Sequence, residues 1–327
     1  MLNVCMIGHG MMGRWHSRTL AGEPDCRRYM LVGRRAEPTA AFALEHGYDR
    51  WTTDLAQALA DPAIDLFIVA SPSEAHADMA ARCLESGRHT LCEIPLGMSL
   101  AEARSVVRAA EAAGRRLGLV YPMRMMPSMI ELRRRIAAGS ERIGMIESRF
   151  IIRRWENMGA TGYRRSWTDN LLWHHLGHLV DFALWMSGAE PAKVSGAMSP
   201  PDERTGTPMN AAILIETGDN RLLTIVGSYA GHDAICDTMV LTDRETYRID
   251  AMANRLTVGD RTVQLQTEEA DCAAALRDFL AAVRHDREPD IPGRSALPMM
   301  AALQQVQDEW DRRYGARPVP GRGGPRQ

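Results

Sequence analysis

The sequence predicts two folding patterns in succession: an α/β domain with a doubly wound parallel sheet, then an α+β domain with an antiparallel or mixed sheet. Three observations predict it. Apolar strand-like runs alternate with helical stretches through residues 1–121. After Pro122 strand-like segments follow one another directly. A glycine-rich turn stands at the start of the alternating part.

The chain is long enough for two cores, and its 45% hydrophobic and 24% charged residues describe an ordinary globular protein. A net charge of -2 removes the basic face that nucleic acid would require. No apolar run approaches the roughly 18 residues of a membrane span. MLNVCMIGHG runs straight into a strand with no basic leader, so the cytoplasm is the expected location. The six cysteines are dispersed without a CxxC pair and read as buried free thiols.

The first strand, Asn3 to Ile7, leads into Gly8-His9-Gly10-Met11-Met12-Gly13 and a helix to about Ala21. This strand, G-x-G-x-x-G and helix order is a dinucleotide-binding signature of the Rossmann type. Gly8 serves the tight turn, Gly10 the approach of pyrophosphate, and Gly13 the close packing of helix on strand; the helix N-terminus offers amides to phosphate. The second strand, Tyr29 to Val32, ends in Gly33-Arg34-Arg35. An acid that would bind a ribose 2′-hydroxyl is missing there, and two guanidiniums suited to a 2′-phosphate replace it, so NADP is expected over NAD.

Helices are expected over Pro38–His46, Asp54–Leu59, Glu74–Ser86 and Leu100–Ala113, and strands over Ile64–Ala70, His89–Cys92 and Leu117–Val120. Ligands should meet the carboxyl ends of the strands: Gly8–Gly13, Gly33–Arg35, Ser71-Pro72-Ser73 with His76 in the following helix, and Glu93-Ile94-Pro95. Beyond residue 122 a helix over Pro127–Ala138 precedes a strand over Met145–Arg153. Further strands are expected over Lys193–Met198, Asn210–Glu216, Leu222–Ser228, Thr238–Thr242, Thr246–Asp250 and Thr262–Leu265. Helices over Glu268–Arg284 and Ser295–Tyr314 close the second domain, which is taken as residues 122–315; the tail 316–327 is expected to be disordered.

The chemistry is expected in RSWTDNLLWHHLGHLVDFALW, a helical stretch that gathers His174, His175, His178 and Asp181. At 3.6 residues per turn His174, His178 and Asp181 share a face, with His175 beside them. A neutral imidazole suits proton removal near neutral pH. Core histidines bonded to backbone groups, and zinc ligands at i, i+4, are the rival readings; no glutamate or cysteine cluster supports metal, and none is assigned. Tyr121, Arg124, Arg164, Arg165, Trp167 and Asn170 flank this stretch or the end of the first domain as substrate-binding candidates, the arginines for carboxylates. Met123, Met125, Met126 and Met129 read as packing.

The glycine motif, SPSEAHADMA, CEIPLGMSLAEA and GHLVDFALW together resemble the Gfo/Idh/MocA oxidoreductase family over all but the tail. The resemblance implies a Rossmann domain, then a domain with an open, mostly antiparallel sheet that commonly forms homodimers or homotetramers, and it implies a cis Pro95. Two departures stand out. Most members carry a catalytic lysine where this chain has Ile94, and an aspartate where it has His174. EIPL with RSWTDNLLWHH and His178-x-Val180-Asp181 resembles a narrower group within the family, which oxidises the cyclic hemiacetal of a dicarboxylated ring-cleavage semialdehyde to a lactone with NADP. The expectation is therefore an NADP-dependent dehydrogenase acting on a carboxylated small molecule. His178 is the first choice for general base, then His174, with His175 beside them. Loss of the lysine cation favours imidazole basicity. A sugar or cyclitol dehydrogenase, and a non-catalytic dinucleotide-binding sensor, are the alternatives.

Overall fold

The structure, a computed structural model, describes residues 1–159, 162 and 165–315. Its elements begin β1 (Leu2–Ile7), α1 (Met11–Ala21), β2 (Cys26–Val32), α2 (Ala36–His46), β3 (Arg50–Thr52), α3 (Leu55–Ala60), β4 (Leu66–Val69), α4 (His76–Glu85), β5 (His89–Cys92), α5 (Leu100–Ala113) and β6 (Leu117–Leu119). They continue α6 (Pro127–Ala137), β7 (Ile143–Arg153), α7 (Gly177–Ser187), β8 (Pro191–Met198), β9 (Asn210–Thr217), β10 (Leu222–Ser228), β11 (Ala230–Thr242), β12 (Thr246–Asp250), β13 (Arg255–Val258), β14 (Arg261–Gln264), α8 (Glu268–Arg284) and α9 (Leu297–Tyr314). Two compact units result, Met1–Met125 with Glu268–Leu297, and Met126–Thr267 with the segment from Pro298 onward.

In the first unit six strands pair in parallel in the order β3-β2-β1-β4-β5-β6, the doubly wound order that the alternation predicts. Leu66, Phe67, Ile68 and Val69 are fully buried, as a strand covered on both faces requires. The register brings Thr52, Val32, Ile7, Val69, Cys92 and Leu119 into one row across the sheet. The residues after that row, Gly33, Gly8, Ala70 and Glu93, therefore form one edge, and four motifs that lie far apart in sequence become neighbours there. β3, a strand of only three residues, has too little pattern to be foreseen.

The second unit holds a mixed sheet in the order β14-β13-β12-β11-β7-β10-β9-β8, antiparallel except where β7 meets β10. Burial alternates along β9 and β10, so one face is packed and the other carries exposed side chains such as Leu222 and Val226. α7 packs against β7 and β10. Trp173 bonds Gln307 on α9 at 3.0 Å, and Trp310 bonds the Ser199 carbonyl at 2.8 Å. β11 reaches back to Ala230, farther than its apolar part, because Gly231, His232 and Asp233 conceal the pattern; β13 was likewise not foreseen.

The domain division needs a correction. Residues 122–315 are not one body: α8 lies in the first unit, where it packs on α1 and β5. Arg18 pairs with Glu269 at 2.5 Å, Arg277 with Glu23 at 2.8 Å, and Phe279 fills the notch left by Gly118. An amphipathic helix shows in sequence that it has an apolar face, but not which sheet receives it. The tail 316–327 lies outside the described residues. Cys26 and Cys236 are half-buried and the other four cysteines buried; all six are free thiols. No described helix is long and apolar enough to cross a membrane.

Candidate active site

The cofactor seat follows from the edge of the first sheet. Gly8 has φ +103°, and a Cβ there would stand 2.3 Å from the Ala70 carbonyl oxygen. A Cβ on Gly13 would stand 2.4 Å from the Gly8 carbonyl oxygen. Gly10 differs: a Cβ there meets nothing within 4 Å. Two glycines thus close the turn, and the third leaves backbone open to an incoming group. α1 has no side-chain cap and no acid in its first turn, while Met11 and Met12 are half-buried at its start. The Ser71 hydroxyl on the same edge is buried with no hydrogen-bond partner among the described residues. An open backbone cradle, an uncapped helix start and an orphaned hydroxyl fit a pyrophosphate-bearing dinucleotide.

Around this seat His9 lies 5.6 Å from the Phe42 ring, and its Nε2 is 3.4 Å from Thr39 Oγ1. Burial, with Arg35 adding to it, holds the His9 imidazole below the usual histidine range despite a backbone hydrogen bond that opposes the shift. Arg34 and Arg35 are exposed, Arg35 at the N-cap position of α2. Pro72 precedes the short turn Ser73–Ala75. The Ile94-Pro95 bond is cis, as the resemblance implies.

His76 lies between two loops of this edge. Its Nδ1 lies 2.8 Å from the Pro95 carbonyl and its Nε2 2.8 Å from the Ser71 carbonyl, so the ring fastens two edge loops together. Glu93 is also engaged from inside: its Oε1 lies 2.6 Å from Nε2 of the buried His16. Sequence reading missed His16. The GxGxxG spacing followed by a histidine three residues on was the available signal.

In the second unit the histidine stretch is not one regular helix. Leu172–Leu176 forms a π turn, with Leu176 N donating to Leu171 O at 3.0 Å, before α7 begins. Such wide turns occur often at functional sites. Asn170 starts it: its Oδ1 accepts from Leu172 N at 2.9 Å and Trp173 N at 3.3 Å. That occupies the carbonyl oxygen of a side chain expected to face substrate. Asp169, in the bend ahead of this turn, meets His174. Nδ1 of His174 is 3.0 and 2.9 Å from the two carboxylate oxygens.

The other two imidazoles are set differently. His175 stacks on Phe150 with centroids 3.9 Å apart, and its Nδ1 lies 2.6 Å from the Tyr229 hydroxyl. Burial, then the neighbouring His174, Arg154 and His178, push its proton affinity far below the usual range. His178 is lowered to about 4, chiefly by burial and then by His174, with Asp169 opposing. Both are therefore neutral at working pH. The Tyr229 hydroxyl is raised well above the usual phenol range by burial, so it stays protonated.

The expected substrate groups are divided between the two units. Arg165 Nη1 is 3.3 Å from Asp169 Oδ2, and its amide donates to the Asn157 carbonyl at 2.7 Å. Asn157, buried and unforeseen, also binds Arg154, the Ser166 carbonyl and the Asp169 carbonyl, and so braces this loop. Trp167 is half-buried, 6.1 Å from the Tyr229 ring. Arg164 lies outside the described residues. Arg124 needs a correction. It belongs to the first unit and is 7% exposed, with its guanidinium 5.2 Å from the ring of buried Tyr121 and donating to Ser295 Oγ at 3.1 Å. An arginine this enclosed is part of the fold of its own unit, and the position of Tyr121 beneath it has the same character. Among the described residues no three His, Cys, Asp or Glu side chains are arranged to hold a metal ion.

Comparison with known proteins agrees with both halves. Residues 2–121 match the GFO_IDH_MocA profile, described as oxidoreductase family, NAD-binding Rossmann fold, and residues 127–267 match a profile described as bacterial oxidoreductases, C-terminal. The chain belongs to the Gfo/Idh/MocA oxidoreductase family. It is an NAD(P)-dependent oxidoreductase by that membership. Among similar family members is 4-carboxy-2-hydroxymuconate-6-semialdehyde dehydrogenase of Sphingobium sp. (strain NBRC 103272 / SYK-6), 27% identical over 94% of this chain and 98% of that one. The scyllo-inositol 2-dehydrogenase (NAD(+)) of Bacillus subtilis (strain 168) is 30% identical over 41% of this chain and 40% of its own. A levoglucosan dehydrogenase structure in complex with NADH and levoglucosan superimposes with TM-score 0.83 at 17% identity, over 95% of this chain and 97% of that one; this likeness carries the Gfo/Idh/MocA fold.

Proposed function

We propose that this family member is an NADP-dependent dehydrogenase. Its substrate would be the cyclic hemiacetal of a carboxylated ring-cleavage semialdehyde, 4-carboxy-2-hydroxymuconate-6-semialdehyde in the first instance, and its product the lactone 2-pyrone-4,6-dicarboxylate. The observation that carries the reading is the imidazole cluster His174, His175 and His178 braced by Asp169, in a chain with Ile94 at the position of the family's usual lysine. The full-length likeness to the Sphingobium enzyme supports the same substrate class.

The reaction needs a hydride acceptor, which the nicotinamide supplies when bound at Gly8–Gly13, Arg34, Arg35 and the Ser71 and Glu93–Pro95 edge. The chain's part is acid–base work. The hemiacetal O–H proton passes to an imidazole of His174 or His178 while the C–H hydride departs and the C–O bond becomes C=O. The reading therefore asks the imidazole and the cofactor to act on one substrate. Arg165 is retained for a substrate carboxylate, since it is partly exposed and holds Asp169 by one nitrogen only. The deciding assay follows NADP reduction at 340 nm with freshly generated ring-cleavage product. Turnover of cyclitols or sugars with none of the semialdehyde would transfer the reading to a cyclitol dehydrogenase, which the shorter inositol dehydrogenase matches favour. NADP binding with no turnover of either class would make the chain a sensor.

For cofactor choice, Arg34→Asp is expected to move the NADP to NAD ratio of kcat/KM toward NAD by about tenfold or more, through loss of a fork-shaped phosphate partner. A wild-type preference for NAD would reverse the assignment of Arg34 and Arg35. We also propose that the exposed face with Leu222 and Val226 is covered by a second copy of the chain, as a homodimer or half of a homotetramer. Sedimentation of a monomer at micromolar concentration would count against that cover.

A further inference from the structure

We propose that Asp169 is the positioning residue of this site: it accepts the Nδ1 proton of His174, leaves Nε2 of that ring as the open base, and so assigns proton abstraction to His174. The inference rests on the dehydrogenase reading above and chooses within it, moving the base from His178, the sequence's first choice, to His174.

The geometry carries it. Asp169 is 2% exposed, and an ionised carboxylate only accepts hydrogen bonds. Both of its oxygens lie within 3.0 Å of the same ring nitrogen, and the Arg165 guanidinium faces the carboxylate with Nη1 3.3 Å from Oδ2. Nδ1 of His174 must then be the donor. A neutral imidazole has one N–H, so Nε2 carries the lone pair. When that lone pair takes the hemiacetal proton, the resulting imidazolium sits against a buried carboxylate, which stabilises it as the charge forms.

The neighbouring rings are less suited to the same part. Nδ1 of His175 is taken by the Tyr229 hydroxyl at 2.6 Å, the ring is stacked on Phe150, and Arg154, just past the end of β7, discourages a positive charge. His178 is held neutral by burial and then by His174, with Asp169 opposing the shift. Their rings crowd together, His174 and His175 centroids 4.1 Å apart, so the cluster accommodates one positive charge at a time. Asp169 decides which ring carries it. What hid the pair in sequence is that Asp169 stands in the bend ahead of the helical stretch, where no helical wheel places it beside His174.

The test is Asp169→Asn in the full chain, read in two ways. An amide lacks the charge and offers its own N–H to Nδ1, so it favours the wrong tautomer. kcat is expected to fall about 10²- to 10⁴-fold with KM within about threefold. His174→Gln should fall at least as far, and His178→Gln less than either. Independently of turnover, ¹⁵N-histidine NMR of the wild-type chain should show His174 in the Nδ1–H form, and Asp169→Asn should transfer population to Nε2–H. Asp169→Asn within threefold of wild-type kcat, an unchanged tautomer, or a larger loss in His178→Gln than in His174→Gln would overturn the assignment. If the hemiacetal is not turned over at all, the functional reading fails, while the tautomer measurement still decides the role of Asp169.

Discussion

Lowering the pH from 7 to 5 is expected to destabilise the fold by about 2 kcal/mol through His178 alone. In the unfolded chain this imidazole protonates near its ordinary value of about 6.5, whereas in the folded chain burial and His174 hold it down to about 4. Between those two values the unfolded chain binds the extra proton and the folded chain does not, so stability falls as pH falls. The loss stops growing below about pH 4, where both forms are protonated. His175, lowered further by the same burial, adds in the same direction. The exposed carboxylates that hydrogen bonds hold below their usual range, Asp243 through the Arg142 amide and then its guanidinium and Glu288 through the Arg294 guanidinium, lose their contribution only below about pH 4.5, so the window from 5 to 7 belongs to the imidazoles. Urea midpoints at the two pH values measure the effect. His178→Gln should flatten the dependence; an equal slope in that variant would place the titration elsewhere.

The second large effect separates two glycines of one motif. Gly8→Ala is expected to cost about 3 kcal/mol or more, because the new methyl group meets the Ala70 carbonyl and the backbone is held at φ +103°. Gly10→Ala meets nothing within 4 Å. It should leave the melting temperature within a few degrees yet weaken binding of the nicotinamide dinucleotide about tenfold or more, since the methyl group occupies the space through which phosphate approaches the amides. Calorimetric melting and cofactor titration on the two variants give the comparison. If Gly10→Ala bound cofactor as wild type does, the dinucleotide would not sit on this turn.

The two cases show what local sequence makes legible. Gly8, Gly10 and Gly13 act over six residues of chain, so spacing alone assigns their roles. Gly33–Arg35, Ser71–Ser73 and Glu93–Pro95 are legible as strand ends, which the sheet sets side by side along one edge. Asp169 was in plain view beside Asn170, but it stands in the bend ahead of the helical stretch, so no helical wheel shows its pairing with His174. His16 and Glu93 are 77 residues apart and meet only through the packing of α1. Arg124 misled for the opposite reason: its place after β6 resembled a cleft position, but whether a guanidinium is exposed there is decided by Ser295, in a segment 171 residues away.

α8 has a consequence for handling the chain. Because the chain passes from one unit to the other at residues 125–126, 267–268 and 297–298, the nucleotide-binding unit is discontinuous. A fragment ending near residue 121 would lack Phe279 against Gly118 and the cover of α1, and would expose apolar surface on the back of its own sheet. To express this unit alone, Glu268–Leu297 must be spliced onto Met125 through a designed linker. Proteolytic nicking at Thr267 would leave two pieces held by packing rather than two freed domains.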